Sequence, residues 1–407
     1  MNKNIKLAVA GAVLALSATA ANAGIVIPAG DWTLDVSGNV NAYSVWNKSD
    51  NSATISSTGI TATTGVNTQN MLTNGLLPNF LGFTGTTRQN DLDVSFTISL
   101  QPGSAHNSAL GVGADGGINN RQAFITFGDK SWGSVKVGKD LGIFASDAIL
   151  NDMTLLGVGA TAGSSAGNTT LGRIGYGYIY ADWKPMIAYT TPNFNGFQAT
   201  VGISQNFKSI NQVGTSTSIS SSLVNASPAY EGKVSYSFAA NDVTGKIWAS
   251  GIAQRTGSIV GYTNTEDPIA YAGDIGANVN VAGFGVTGYY YNGTAIGHQG
   301  QGWDGYGISS GTTLKGRDSD GGYVQVTYVL PTKTKLGVSW GESNLDKADG
   351  ESFNTLLKSN EMWTAGVYHP LTKHLNLVAE YSHATSENQV GAENKNNIGS
   401  LGAILFF

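Results

Sequence analysis

Three kinds of pattern in the sequence have residue types suited to chemistry. Gly337-Val338-Ser339-Trp340-Gly341 matches G-x-S-x-G, in which the serine attacks a carbonyl when it sits on a strand–turn–helix elbow. Gly111-Val112-Gly113-Ala114-Asp115-Gly116 and the run from Gly300 to Gly305 match G-x-G-x-x-G, a pyrophosphate cradle when it opens a helix. Five histidines, His106, His298, His369, His374 and His383, are candidate proton carriers or metal ligands. None has the setting its chemistry needs. Leu336, Val338 and Trp340 alternate with Gly337 and Ser339, so that serine lies inside a strand. Neither glycine run opens a helix, and 55 glycines yield such matches by chance. The histidines show no zinc spacing. The absence of Cys excludes a thiolate nucleophile, a thiolate metal site and a disulfide scaffold. A formal charge of -5, with no basic stretches interleaved with aromatics, argues against a nucleic-acid partner. No catalytic residue, cofactor or metal is expected.

The elements that position the remaining charges are strands. Trp32, Leu34, Val36, Val40 and Ala42 share one face of the first run, and Thr33, Asp35, Ser37, Asn39 and Asn41 share the other. Leu92, Val94, Phe96, Ile98 and Leu100 oppose Asp93, Ser95, Thr97 and Ser99 in the same way. Sixteen such runs are expected, at 31–43, 78–87, 91–101, 119–127, 133–138, 183–191, 197–206, 229–239, 242–254, 269–281, 284–292, 321–330, 334–342, 361–369, 374–383 and 397–407. Eight long connections, near 44–77, 102–118, 139–182, 207–228, 255–268, 293–320, 343–360 and 384–396, alternate with seven short ones. Sixteen antiparallel strands produce that sorting when the loops are elaborated at one end only. Sandwiches and propellers have no reason to.

Residues 1–23 read as a cleaved leader, with Lys3 and Lys6 ahead of the apolar run Leu7 to Leu16 and Ala21-Asn22-Ala23 before Gly24. Its removal takes the formal charge from -5 to -7. Residues 24–407 form the single remaining domain, and no apolar run in it reaches 18 residues. A membrane would therefore be crossed by strands. Tilted strands of about ten residues span the hydrocarbon layer, and the sheet must close to satisfy its backbone. Such barrels are apolar outside and polar inside, with aromatics at the interfaces, and at sixteen strands the lumen is wet. Trp32, Tyr43, Phe197, Tyr328, Trp340, Tyr381 and Phe407 fall near run ends, as that pattern requires.

Several segments resemble the general porins of Gram-negative outer membranes. Asn120-Arg121-Gln122-Ala123-Phe124-Ile125-Thr126-Phe127 is similar to that family's strand before its third long loop. Gly133-Ser134-Val135-Lys136-Val137-Gly138-Lys139 is similar to the following strand, with Lys139 where the family usually has arginine. Tyr189 to Phe197 resembles the family's Tyr-x-Ser-Pro-x-Phe-x-Gly-Phe turn, the most specific match, and Tyr368 to His374 resembles a second turn. The terminal Phe407 is shared with many outer-membrane barrels. The resemblance implies homotrimers of sixteen-stranded, all-β antiparallel barrels in outer-membrane lipid. It implies passive diffusion of small hydrophilic solutes and ions, and a third loop folded into the lumen.

The resemblance also implies acidic residues on that loop facing basic residues on the wall. The loop expected at 139–182 begins with a compact stretch carrying Asp140, Asp147 and Asp152, the acidic side of the constriction. Arg121, Lys136 and Lys139 are the basic side. Lys233, Lys246 and Lys335 also fall on polar faces, as do Asp35, Asp93, Glu231, Asp274 and Glu380, so ion selectivity stays open. Three rival readings remain. One is a solute-selective porin with a lumen aromatic ladder (Tyr289, Tyr291, Trp248), the second is an outer-membrane enzyme, for which no positioned Ser-His or Asp-His set is found, and the third is a secreted adhesin or structural β protein, which would be soluble without detergent.

Overall fold

The computed structural model describes residues 24–50, 52–58, 68–103, 118–161, 169–213, 218–222, 227–259, 261–262, 264–266 and 268–407. The expected leader and the glycine run at 111–116 lie outside these.

Sixteen strands form one closed antiparallel ring. They are β1 Trp32–Ser49, β2 Phe80–Gln89, β3 Leu92–Pro102, β4 Ala123–Asp129, β5 Gly133–Leu141, β6 Trp183–Thr190, β7 Phe197–Ser204 and β8 Ala229–Ala240. The second half is β9 Val243–Arg255, β10 Ile269–Val281, β11 Phe284–Thr294, β12 Asp318–Val329, β13 Lys335–Leu345, β14 Leu357–Pro370, β15 Leu375–Asn388 and β16 Glu393–Phe406. The ring closes where β16 pairs with β1, from Asn39 opposite Phe406 to Ser49 opposite Asn396. An N-terminal arm, Ile25–Ala29, continues that edge with Ile25 opposite Val36. At the junction Gly38 and Phe407 exchange backbone hydrogen bonds of 2.8 and 3.0 Å. Closure pairs the edges of an open sheet, which the interior of a bilayer would not tolerate.

The period-two pattern sorts the two faces. On β10, Tyr271 and Ile275 are exposed while Ala270, Ala272 and Asp274 are buried. On β13, Leu336, Val338 and Trp340 are exposed while Gly337, Ser339 and Gly341 are buried. The outer surface is thus an apolar belt with aromatic pairs such as Phe284 and Tyr328, whose rings lie 4.4 Å apart. Tyr43 departs from the expected interface position. It points inward, 1% exposed, and its hydroxyl donates to the Leu156 carbonyl at 2.6 Å.

Every expected strand is present, and the differences lie at ends. Two-residue turns at Asn90–Asp91 (φ 48° and 61°) and Ala282–Gly283 (φ 48° and 85°) use left-handed backbone, the geometry that matches hairpin twist. The first of these places Arg88 on β2, paired with Asp93 at 2.8 Å, instead of in the turn. β14 and β16 run further than the alternation indicated, because their outer ends carry polar residues on both faces. The connection expected at 44–77 is shorter. β1 continues to Ser49, and Thr68–Thr73 pairs with it as an upper piece of β2. Between the pieces the chain leaves the wall, and Asn41 fills the gap. Its backbone N–H donates to Asn79 Oδ1 at 2.7 Å, its Nδ2 donates to the Leu77 carbonyl, and its Oδ1 accepts from Gly75 N. β5 likewise runs on to Leu141, so Lys139 and Asp140 belong to the wall and not to the loop.

No helix among the described residues is long and apolar enough to cross a membrane; the crossing is made by strands. The outward position of Ile275 on β10, 58% exposed, tests this directly. Ile275→Arg is expected to cost about 2–4 kcal/mol near the bilayer midplane, read as a shift in the denaturant midpoint of folding into lipid vesicles. A cost within 0.5 kcal/mol, ordinary for a water-exposed site, would place that face in water.

Candidate functional site

The connection from β5 to β6 holds a short helix α1, Ser146–Asn151, and a 3-10 turn, Met153–Leu156. Its backbone forms isolated bridges, such as Gly159 with Gly172, but no strand ladder, so many N–H groups need other acceptors. Three wall carboxylates supply them. Glu231 on β8 accepts from Ile143 N and Phe144 N, both at 2.8 Å. Asp274 on β10 accepts from Ala145 N at 3.2 Å. Glu380 on β15 accepts from Val158 N at 2.7 Å and Gly159 N at 2.9 Å. Gln325 on β12 adds a bond to Met153 N at 2.7 Å. In the reverse direction the buried Arg173 guanidinium donates to the Met362 and Ser339 carbonyls of β14 and β13, at 2.8 and 3.2 Å.

Side chains fill the contact. Phe144, Ala148 and Ile149 join Trp248, Tyr289, Tyr291 and Tyr323 in one buried cluster. The Tyr323 hydroxyl donates to the Ala148 carbonyl at 2.8 Å. The wall aromatics considered for a lumen ladder are therefore a bed under α1. The glycines of G-x-S-x-G have the same explanation. A Cβ at Gly337 would meet Met153 Sδ at 2.6 Å, and one at Gly341 would meet the Tyr176 carbonyl oxygen at 2.7 Å. They are inward-facing strand glycines that leave room for this segment.

The charges pair across the same contact. Asp147, on α1, takes both wall lysines, Lys233 on β8 at 2.9 Å and Lys246 on β9. Burial alone would raise its pKa, but the two ammonium groups outweigh that and hold the carboxyl below its usual range. Lys184 on β6 pairs with Glu231 at 2.7 Å, and Lys136 with Asp140, both on β5. Asp140 also accepts from Gln122 Nε2 at 3.0 Å.

The candidates from the sequence thus separate. Asp147 meets lysines of the wall, though Lys233 and Lys246 instead of Arg121, Lys136 or Lys139. Asp140 meets Lys136 within its own strand. Asp152 caps the 3-10 turn, accepting from Thr154 N at 2.9 Å and from the Tyr178 hydroxyl at 2.9 Å. Arg121 lies just ahead of β4, its guanidinium 5.9 Å from the centre of the Trp183 ring. Lys139 is opposite Pro185, on the outward parity of β5, and donates to the Asn120 carbonyl at 2.7 Å. Sequence reasoning missed Lys184, Arg173 and Gln325. Lys184 was hidden because its own face carries the apolar Met186.

A cavity of about 460 Å³ lies on the other side of α1. Ile149, Leu150 and Leu155 line it from the segment, and Asn39, Gln101 and Gln122 from the wall and its approaches. Above it, a second cluster ties outer loops together. Asp304 accepts from Thr58 N at 2.6 Å and Gln212 N at 2.7 Å, and Arg317 pairs with Glu351 at 2.5 Å. His298 is fully buried beside them, with Nε2 3.2 Å from Ser57 Oγ. Among the described residues no group of three or more His, Asp or Glu side chains could hold a metal ion.

Two measurements follow from this geometry. Glu380→Ala leaves the Val158 and Gly159 amides without acceptors, a loss of about 1–3 kcal/mol per buried group. Their hydrogen exchange is expected to rise at least tenfold while amides of β15 change little. For the outer cluster, burial pushes the His298 imidazole down to about 4; Asp304 acts to raise it and Arg317 to lower it. An opened state ionises near the ordinary value of about 6.5, so it takes up a proton that the closed state refuses. The closed cluster is expected to lose stability as pH falls through that window. Exchange at Asn211 and Gln212, corrected for intrinsic rates, should rise in that window, and His298→Gln should flatten the rise.

Comparison with known proteins adds three findings. The family model described as Gram-negative porin matches residues 8–389. No curated protein matches the chain in sequence. Among solved structures, the outer-membrane channel DcaP of Acinetobacter baumannii is similar at 17% identity and TM-score 0.66, over 95% of this chain and all of that one. An anion-selective porin from Comamonas acidovorans follows at 14% and 0.60, over 92% of this chain and all of that one. OmpT of Vibrio cholerae, described in a trimer form, shows 13% and 0.54, over 92% of this chain and 99% of that one. At these identities the solved structures speak for the fold, and the family match speaks for the chain: with its closed sixteen-strand barrel, it belongs to the Gram-negative porins, outer-membrane channels through which solutes diffuse passively.

Proposed function

We propose that small hydrophilic solutes and ions cross this porin through the lumen beside the β5–β6 segment, which narrows it, and that three copies assemble in outer-membrane lipid. The segment's attachment to wall carboxylates is the observation that carries this reading. A segment held at both its first and second turns sets a fixed aperture instead of a mobile flap. The charges nearest that aperture are the partly exposed Lys233 and Lys246, with the buried Asp147 that they share behind them, and the Lys136–Asp140 pair with Arg121 nearby. Lys136, Lys233 and Lys246 are each partly exposed while paired, so their ammonium groups act on passing ions as well as on their partners. Fixed side-chain charges of this kind set selectivity more than total charge does. The trimeric form of one fold relative supports the assembly.

A planar-bilayer recording across a salt gradient tests the reading. Stable conductance closing in three equal steps is expected. Asp147→Asn leaves two wall lysines without their shared carboxylate, and should move the permeability ratio towards chloride by about threefold or more. Folded, inserted protein without conductance would overturn the channel reading, and a mutant with unchanged reversal potential would remove Asp147 from the aperture.

A further inference from the structure

We propose that the cavity beside α1 is a dwell site for uncharged solutes that combine an apolar face with hydrogen-bond donors, such as an aryl glycoside. The inference rests on the channel reading above and names the class of solute that lingers in it.

Four observations converge. First, the segment turns Asp147 to the wall lysines and three apolar side chains to the cavity. Ile149, Leu150 and Leu155 line it, and Trp183 and Trp303 add two indoles. An ion passing there loses hydration and gains little, whereas an apolar ring face gains contact with leucine and indole. Second, the ionic lining is balanced. It contains one cation, Arg121, and one carboxylate, Asp182, so it does not favour either sign of charge. Third, the lining includes two buried amide oxygens without a protein partner, Gln122 Oε1 and Gln299 Oε1. Gln122 is 0% exposed and Gln299 2%. The orientation of Gln122 is fixed, because its Nε2 donates to the Asp140 carboxylate, which can only accept. Its oxygen is therefore left as an acceptor, and a buried acceptor calls for a donor. A solute hydroxyl or amide N–H group can supply that donor once the amide turns towards the cavity it lines. Fourth, the cavity's volume of about 460 Å³ is of the size that holds a small molecule. A plain hydrocarbon would leave both amides unpaired, and a plain polyol would leave the leucines and indoles without an apolar partner.

The test compares phenyl β-D-glucoside with methyl β-D-glucoside at equal concentration in single-channel recordings of the full-length porin. Both carry the same hydroxyl donors, and only the first has an aryl face. Current interruptions by the phenyl glucoside are expected to last about tenfold longer, the factor that goes with removing roughly 60 Å² of apolar surface from water. Leu150→Asn should shorten them towards the methyl glucoside value. Gln299→Met, which keeps the volume and removes the acceptor, should shorten interruptions by both glucosides. Folding of each variant is checked by its heat-dependent gel mobility, and either variant alone suffices. Equal dwell times in a conducting channel would overturn this inference and leave the channel reading standing. So would a phenyl preference that folded variants do not change, since the solute would then dwell elsewhere. Absence of current from inserted protein would instead overturn the channel reading itself.

Discussion

A loop that runs inside a barrel must find acceptors for its backbone without a sheet to provide them, and here wall carboxylates do so. Glu231, Asp274 and Glu380 stand on three strands, and together they receive five loop N–H groups. Charge-assisted bonds of this kind are about twice as strong as neutral ones. They are also directional, so they fix the height of the segment as well as its attachment. The rest of the interior follows from that. Lys184 pairs with Glu231, and wall glycines such as Gly337 keep clear the volume that the segment enters. Tyr323 and Trp248 become packing surface instead of lumen lining.

The second consequence is an inversion of charge. In a constriction built on a transverse field, loop acids would face basic residues across the open passage. In this chain Asp147 is turned back to Lys233 and Lys246 on the wall behind it, and Asp152 is spent on capping the next turn. The six residues of α1 are enough for this. Asp147 lies on one side, and Ile149 and Leu150 fall two and three positions on, at about 200° and 300° around a helix of 3.6 residues per turn. Pairing the carboxylate with two lysines therefore directs Ile149 to the opposite side, towards the cavity, while Leu150, about 60° from Asp147, reaches the same cavity from the flank. For Ile149, electrostatic anchoring and apolar lining are one decision of helix phase.

The barrel was legible in the sequence because its physics is periodic. Alternation, loop sorting and turn residues each reported the same sixteen strands, and the errors sit where one of them lapsed. β16 begins with Glu393-Asn394-Lys395-Asn396, polar on both faces, so alternation could not show that it was strand. The break in β2 at 74–79 carried no period at all, and only Asn41, three bonds deep in the gap, explains how the wall tolerates it. The interior charges were legible as a set, since Lys233, Lys246, Glu231, Asp274 and Glu380 were all assigned inward by parity. Their pairing was not. Which lysine meets which aspartate depends on how a forty-residue connection folds back, and local sequence does not encode that distance. Asp140 shows the cost of a three-residue boundary error, because ending β5 early moved a wall residue onto the loop.

The outer loops are organised by the same rule as the inner segment, with the roles of charge reversed. Inside, carboxylates project from the rigid wall and collect backbone groups of the loop. At the outer end the buried charges sit on the loops themselves: Asp304 collects Thr58 and Gln212 from two other connections, while Arg317 holds Glu351 from a third. The wall cluster has strands to fix its geometry. The outer cluster has only short loop strands, Ile210–Gln212 paired with Ser218–Ser220 and Tyr306–Ser310 paired with Thr313–Gly316, together with a neutral His298 that burial keeps from ionising. The outer tier is therefore sensitive to acid at the histidine whose neutral form the packing requires. Asp147 is the opposite case. Its depressed carboxyl keeps its charge below the usual carboxylate range, so the wall contact it makes outlasts the outer one as pH falls.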